Sequence, residues 1–206
     1  MNRQKGMTRR QFGAQAGCAL AGLAFGQGCL ASAPEAQATG DGFTEGRLSA
    51  RPRAGVTPTL TSGPLGLGNG GDRDGVVQMP STVPSTPVPL LVLLHGATQT
   101  GARLLGRISA AAEQAGIAVV APDSRDRTWD AIRGDFGADV AYLNRVLAHV
   151  FDRLPVDPRR LAIGGFSDGA SYALSLGLAN GDLFTGIVAF SPGFVIGAPE
   201  HGKPRF

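Results

Sequence analysis

One serine of this chain stands in a pattern that suits nucleophilic catalysis, the G-x-S-x-G sequence of residues 165–169 centred on Ser167. A serine hydroxyl attacks a carbonyl carbon when a sharp turn exposes it and a base accepts its proton. The apolar run at residues 161–165 predicts a buried strand before the serine, and residues 170–178 predict a helix after it. We therefore expect Ser167 on a strand-to-helix turn.

Steric crowding explains why the pattern has glycine at positions 165 and 169. Such a turn strains the serine backbone and crowds the positions two residues away on either side, so the side chains there must be minimal. The turn also lifts Ser167 above the carboxyl ends of the strands, where open parallel sheets bind ligands. The Asp168 N–H then lies at a helix start, where backbone donors stabilise a developing oxyanion.

The elements that position this turn follow an alternating order. Strands are predicted at residues 90–94, 116–121, 161–165 and 186–190, and helices at residues 103–115, 140–150 and 170–178. Short connections between them imply a mostly parallel, doubly wound α/β sheet with helices on both faces. Before them, residues 39–89 are rich in Gly, Pro, Ser and Thr and predict loops with one or two edge strands, for example at residues 75–79. The acidic sequence at residues 71–75 is interpreted as a plain turn, because its spacing does not fit a calcium loop.

Residues 90–193 resemble the α/β-hydrolase superfamily, and within it the phospholipase/carboxylesterase and polyhydroxybutyrate-depolymerase-like secreted serine esterases. Residues 93–97 are similar to the oxyanion loop of that fold, residues 165–169 to its nucleophile motif, and residues 156–160 to a segment of these esterases. The resemblance implies that Ser167 is the nucleophile and that the N–H groups of Ala97 and Asp168 form the oxyanion hole. It places His95 and Gly96 in the oxyanion loop, which His95 shapes by hydrogen bonding.

For activity, the resemblance implies hydrolysis of a carboxylic ester, small or polymeric, through an acyl-enzyme, with no cofactor and no metal. In these hydrolases the triad acid and histidine follow later strands, in the chain order Ser, Asp, His. Residues 203–206 stand where the resemblance expects a seventh strand. We therefore expect a partial domain at residues 90–206, truncated after about the sixth strand and without the triad acid and base. Two interpretations stay open, a serine esterase and a non-catalytic truncated or degenerate hydrolase.

Residues 1–38 have the architecture of a signal peptide. A positive start is followed by an uncharged, Ala- and Gly-rich stretch at residues 11–33, which is too weakly apolar to predict a stable membrane span. Arg9 and Arg10 resemble the twin-arginine export motif, which predicts recognition by export machinery and a periplasmic or secreted protein cut near Thr39. The alternative is a lipoprotein anchor at Cys29, although the residues before it lack the usual leucine.

The charge balance excludes a nucleic-acid partner. The chain has 206 residues, with 19 Lys and Arg against 16 Asp and Glu. Four of the basic residues and one acid lie in the leader, so the rest of the chain carries equal numbers of each and no basic excess for nucleic acid. Both cysteines also lie in the leader, which leaves no disulfide and no thiolate metal site elsewhere.

Overall fold

The computed structural model describes residues 43–82 and 87–206. The predicted signal peptide, the twin-arginine pair Arg9 and Arg10 and the alternative anchor at Cys29 lie outside the described residues, so their interpretation stays a prediction. No helix in the described ranges is long and apolar enough to cross a membrane.

Six strands of the described residues form one sheet: β1 (Gly63–Pro64), β2 (Gly75–Gln78), β3 (Val88–Leu94), β4 (Ala118–Pro122), β5 (Val156–Phe166) and β6 (Gly186–Phe190). Their order across the sheet is β1-β2-β4-β3-β5-β6. The last four strands of that order run parallel, whereas β2 pairs with β4 in antiparallel orientation and β1 pairs with β2 in the same way. The predicted mostly parallel α/β sheet is confirmed, and β5, which leads to Ser167, lies inside it.

Three helices cover the two faces of the sheet: α1 (Gly101–Gln114), α2 (Ala138–Phe151) and α3 (Asp168–Ala179). Alternate residues of a strand point to opposite faces. Leu91 and Leu93 of β3 therefore pack on the α1 side, whereas Leu90 and Val92 belong to the larger core with α2 and α3. Burial on both faces explains why β3 is a continuous apolar run instead of an alternating one.

Strand β5 starts five residues earlier than the sequence predicted. Val156 pairs with Val88 of β3 across a register shift, which extends the ladder back past the predicted start. The buried carboxylate of Asp157 accepts hydrogen bonds from the Arg159 N–H and from Arg160 Nε, which fixes the polar start of the strand. Tertiary pairing thus adds residues 156–160 to the strand that the apolar run at residues 161–165 predicted.

The segment after β6 returns along α3. The Ser171 hydroxyl accepts the Gly193 N–H, and the Ser175 hydroxyl accepts the Ile196 N–H. Arg205 then pairs in parallel with Gly186 at the start of β6. This segment thereby runs along α3 and reaches the amino end of β6.

Helix α1 covers β4 and β3 but leaves the same face of β5 and β6 open. Phe166, Val188 and Phe190 lie there with 40%, 42% and 62% of their surface exposed. Together with the side chains of α1 they line an apolar groove. The sheet thus carries an uncovered apolar strip directly behind the nucleophile turn.

Candidate active site

Ser167 lies between the end of β5 and the start of α3, in a backbone conformation that serine rarely adopts. Its φ angle is 56° and its ψ angle −121°. Its N–H donates to the Phe190 carbonyl of β6 at 3.0 Å, which ties the turn to the neighbouring strand. Such strain costs about 1–3 kcal/mol and persists where the surroundings enforce it.

The strained residues share one edge of the sheet. Among the described residues, three that are not glycine have positive φ: Thr98, Ser167 and Ser191. They follow the carboxyl ends of β3, β5 and β6, which are neighbours in the sheet. This is the edge at which parallel α/β sheets bind ligands.

Close backbone packing forms the turn. A β-carbon on Gly165 would overlap the Gly169 carbonyl, and one on Gly169 would overlap the carbonyls of Leu94 and His95. A β-carbon on Gly96 would lie 3.3 Å from Ser167 Cβ and 3.2 Å from the Phe166 carbonyl oxygen. The loop after β3 therefore lies directly against the serine.

Two backbone N–H groups flank Ser167. The Ala97 N–H has no acceptor within the described chain, whereas the next two N–H groups, of Thr98 and Gln99, donate to the carbonyls of Arg127 and Gly96. Asp168 is the first residue of α3, so its N–H belongs to those that no helical carbonyl can accept. Neither N–H group therefore has an acceptor among the described residues.

His95 is fully buried beneath this loop, and both of its ring nitrogens are occupied. Nε2 lies 2.9 Å from the Ser124 N–H, and Nδ1 lies 2.8 Å from the Gly96 carbonyl oxygen. The network assigns the proton to Nδ1, because Nε2 must accept. Burial lowers the pKa of His95, and the nearby Arg73 lowers it further. A neutral, fully bonded imidazole shapes the loop and leaves no free lone pair for the proton of Ser167.

The other two histidines lie near the amino ends of β5 and β6, whereas Ser167 follows the carboxyl end of β5. His149 is in the last turn of α2, which leads into the amino end of β5. The His201 N–H donates to the Leu178 carbonyl near the end of α3. Because α3 has 12 residues, about 18 Å of helix separates that end from Ser167.

Three side chains that hold the site lie outside the sequence motifs that predicted it. Arg73 donates to the Ser124 and Gln99 carbonyls, the Trp129 indole N–H donates to the His95 carbonyl, and the Thr128 hydroxyl donates to Asp168. Trp129 is fully buried and also stacks on Tyr172, with ring centroids 5.2 Å apart. These contacts join distant parts of the sequence, so no local pattern indicated them.

A polar groove of about 320 Å³ opens beside Thr128, between the loop after β4 and the start of α2. Its exposed charged side chains are Arg125, Asp126, Arg133 and Asp135. Within the described ranges, no group of three or more His, Cys, Asp or Glu side chains is arranged to hold a metal ion.

No family model matches this sequence, and a search of curated proteins found no match. Solved structures do match. The acetyl xylan esterase from Aspergillus awamori shares 20% identity and a TM-score of 0.53, over 65% of this chain and 52% of its own. The native pOPH structure shares 18% identity and a TM-score of 0.50, over 68% of this chain and 54% of its own.

An S-formylglutathione hydrolase from Agrobacterium tumefaciens shares 23% identity and a TM-score of 0.47, over 58% of this chain and 52% of its own. This chain therefore spans about half the length of the solved structures that it matches. At such identities the likeness concerns the fold. The chain has a mostly parallel α/β fold like that of these hydrolase structures, as the sequence motifs predicted.

Proposed function

We propose that this chain carries the nucleophile and the oxyanion hole of a serine ester hydrolase that acts on a small or polymeric carboxylic ester. The close approach of Gly96 to Ser167 carries the proposal, because the serine lies on a strained turn and the next N–H along the loop, of Ala97, has no acceptor among the described residues. The names of the similar structures, an acetyl xylan esterase among them, support the same reaction class.

In the proposed reaction, Ser167 Oγ attacks the ester carbonyl carbon while a base takes its proton. The carbonyl oxygen becomes an oxyanion that accepts hydrogen bonds from the N–H groups of Ala97 and Asp168. The bond to the alcohol oxygen then breaks, the alcohol leaves with a proton, and an acyl-serine remains. Water attacks the acyl-serine, and the carboxylic acid leaves as Ser167 is restored.

A serine hydroxyl is a weak nucleophile until a base accepts its proton. Both ring nitrogens of His95 are bonded, and His149 and His201 lie near the amino ends of the strands, which supports the inference that none of the three supplies that base. This observation favours a second candidate, a non-catalytic hydrolase fold that serves at most as a binding surface. Its exposed apolar strip at Phe166, Val188 and Phe190 suits that role.

Chemical rescue separates the two candidates. The chain and its Ser167→Ala variant are incubated with p-nitrophenyl acetate, with and without imidazole as an external base. For the hydrolase we expect Ser167 to gain one acetyl group by mass spectrometry, faster with imidazole, after the background reaction of imidazole is subtracted. Nitrophenolate release equal to that of the alanine variant under both conditions would establish the non-catalytic candidate.

We further propose that the protein is exported to the periplasm or outside the cell, because Arg9 and Arg10 precede an uncharged stretch of signal-peptide composition. Replacing both arginines with lysine should keep a fused reporter in the cytoplasm. Export of the double variant at the normal rate would refute the twin-arginine route. A fatty-acylated Cys29 would instead establish the lipoprotein alternative.

A further inference from the structure

Arg73 lies in the loop before β2 and reaches under the oxyanion loop. Its Nε donates to the Ser124 carbonyl at 2.9 Å, and its Nη2 donates to the Gln99 carbonyl at 3.0 Å. The same Nη2 lies 3.2 Å from His95 Nε2 and 3.3 Å from Ser124 Oγ. One guanidinium thus contacts the loop after β3 and the loop after β4 together.

No carboxylate of the described residues lies within ion-pair distance of Arg73. Its hydrogen bonds go to two carbonyls, a hydroxyl and an imidazole, all of them on the two loops that border the site. An arginine that only stabilised the fold through an ion pair would have a carboxylate among its partners. The partners indicate a role in the geometry of the site.

Arg73 acts on the site through His95 and the peptide group between Gly96 and Ala97. Arg73 and the Ser124 N–H both donate toward His95 Nε2, which keeps the ring proton on Nδ1. Nδ1 donates that proton to the Gly96 carbonyl oxygen, which also accepts the Gln99 N–H at 3.2 Å. Because the peptide group is planar and trans, fixing the Gly96 carbonyl also fixes the direction of the Ala97 N–H.

We propose that Arg73 is a positioning residue, which aims the Ala97 N–H at the oxyanion through His95 and the Gly96 carbonyl. The proposal rests on the esterase function proposed above. Arginine suits this place because its planar fork donates to several acceptors at once, whereas a lysine ammonium reaches fewer of them with less directional control. Arg73 touches no reacting atom itself.

The test compares Arg73→Met and Arg73→Lys with Arg103→Met, which removes the same charge from an exposed position on α1. The rate of Ser167 acetylation by p-nitrophenyl acetate is measured with imidazole over a range of ester concentrations. We expect Arg73→Met to lower the acylation rate constant about 10- to 100-fold, less than the loss of a whole oxyanion donor. The ester concentration at half-saturation should stay within twofold, Arg73→Lys should fall between Arg73→Met and the parent chain, and Arg103→Met should match the parent chain.

A second readout does not depend on activity. ¹⁵N NMR of the imidazole reports which ring nitrogen of His95 carries the proton. We expect Nδ1–H in the parent chain and some Nε2–H in Arg73→Met, because losing the guanidinium also releases the Ser124 carbonyl and loosens the Ser124 N–H that Nε2 accepts. Equal acylation rates and an unchanged tautomer in Arg73→Lys and in folded Arg73→Met would overturn the proposal. If Ser167 of the parent chain is not acetylated, the esterase function fails, and the tautomer alone then decides the role of Arg73.

Discussion

Thr128 Oγ1 donates a 2.7 Å hydrogen bond to Asp168 Oδ2, and this bond joins the loop after β4 to the residue that follows Ser167. The Thr128 side chain is buried, whereas Asp168 is half-buried at the start of α3. The nucleophile turn is thus held from three sides, by β6 through Phe190, by the oxyanion loop through Gly96, and by Thr128.

Replacing Thr128 with valine keeps the shape of the side chain and removes the donor. We expect Thr128→Val to lose about 0.5–1.5 kcal/mol of unfolding free energy, the usual net value of one hydrogen bond. Acetylation of Ser167 should slow as well, because Asp168 supplies an oxyanion donor through its backbone. Urea unfolding and the acetylation assay measure the two effects, and Thr128→Ser, which keeps the hydroxyl, is the matched control. A valine variant as reactive as the serine variant would contradict this role.

The crowding around the nucleophile turn can be measured with alanine. Gly169→Ala forces a methyl group into the carbonyls of Leu94 and His95, so we expect a loss of more than about 3 kcal/mol or failure to fold. Gly106→Ala is the control, because Gly106 lies within α1 with nothing within 4 Å of its β-carbon position. Alanine there should stabilise the chain by about 0.5–1 kcal/mol. Similar unfolding midpoints for the two variants would show that the turn can relax.

Asn180 fastens the N-terminal segment to the end of α3. Its fully buried side chain accepts the Leu48 N–H and donates to the Gly46 and Leu176 carbonyls. Asn180→Ala leaves these backbone groups without partners, so we expect a loss of roughly 2–4 kcal/mol. Asp182→Asn removes a partly exposed ion pair with Arg47 in the same region and should cost about 1 kcal/mol or less. Chemical denaturation ranks the two variants, and a larger loss for Asp182→Asn would reverse this assignment.

His95 makes stability depend on pH. Burial, with a smaller effect of Arg73, lowers its pKa below the ordinary 6.5, so the unfolded chain binds a proton more readily than the folded one. The contribution of the neutral imidazole is therefore full above about pH 6.5 and is lost as the pH falls through the folded pKa. An NMR titration in the His149→Gln background, which removes a second histidine of lowered pKa, should place the midpoint of His95 below 6.5. A midpoint at or above 6.5 would refute the prediction.

The sequence predicted the parallel part of the fold well, because burial on both faces leaves a strong local trace. The run around Leu93 and the apolar repeat at Val140 and Leu143 mark elements that the structure contains. The start of β5 at Val156 was missed, since it depends on pairing with Val88 and not on local hydrophobicity. The local hydrophobic pattern therefore predicts the middle of a strand or helix, whereas tertiary pairing determines where it begins and ends.

The candidate site divides in the same way. Ser167, Gly165 and Gly169 were accessible to sequence reasoning because a sharp turn imposes residue types at fixed spacing. Arg73 was not accessible in this way. Its loop was predicted to be a plain turn, and its partners come from loops up to 51 residues away along the chain. Side chains that orient a site leave no local period, so only the folded arrangement identifies them.

The bonds from Asn180 and Asp182 to the N-terminal segment also constrain the order of folding. Arg47 and Asp182 are 135 positions apart, and Leu48 and Asn180 are 132 apart. Closing a loop of that length costs entropy before any contact compensates it, so such contacts slow folding. During synthesis, residues 43–51 are made more than 100 residues before the end of α3, and they cannot dock until that helix is complete. Pulsed hydrogen exchange should therefore protect the Leu48 amide later than the amides of β3, so a segment made before the sheet is among the last to reach its native contacts.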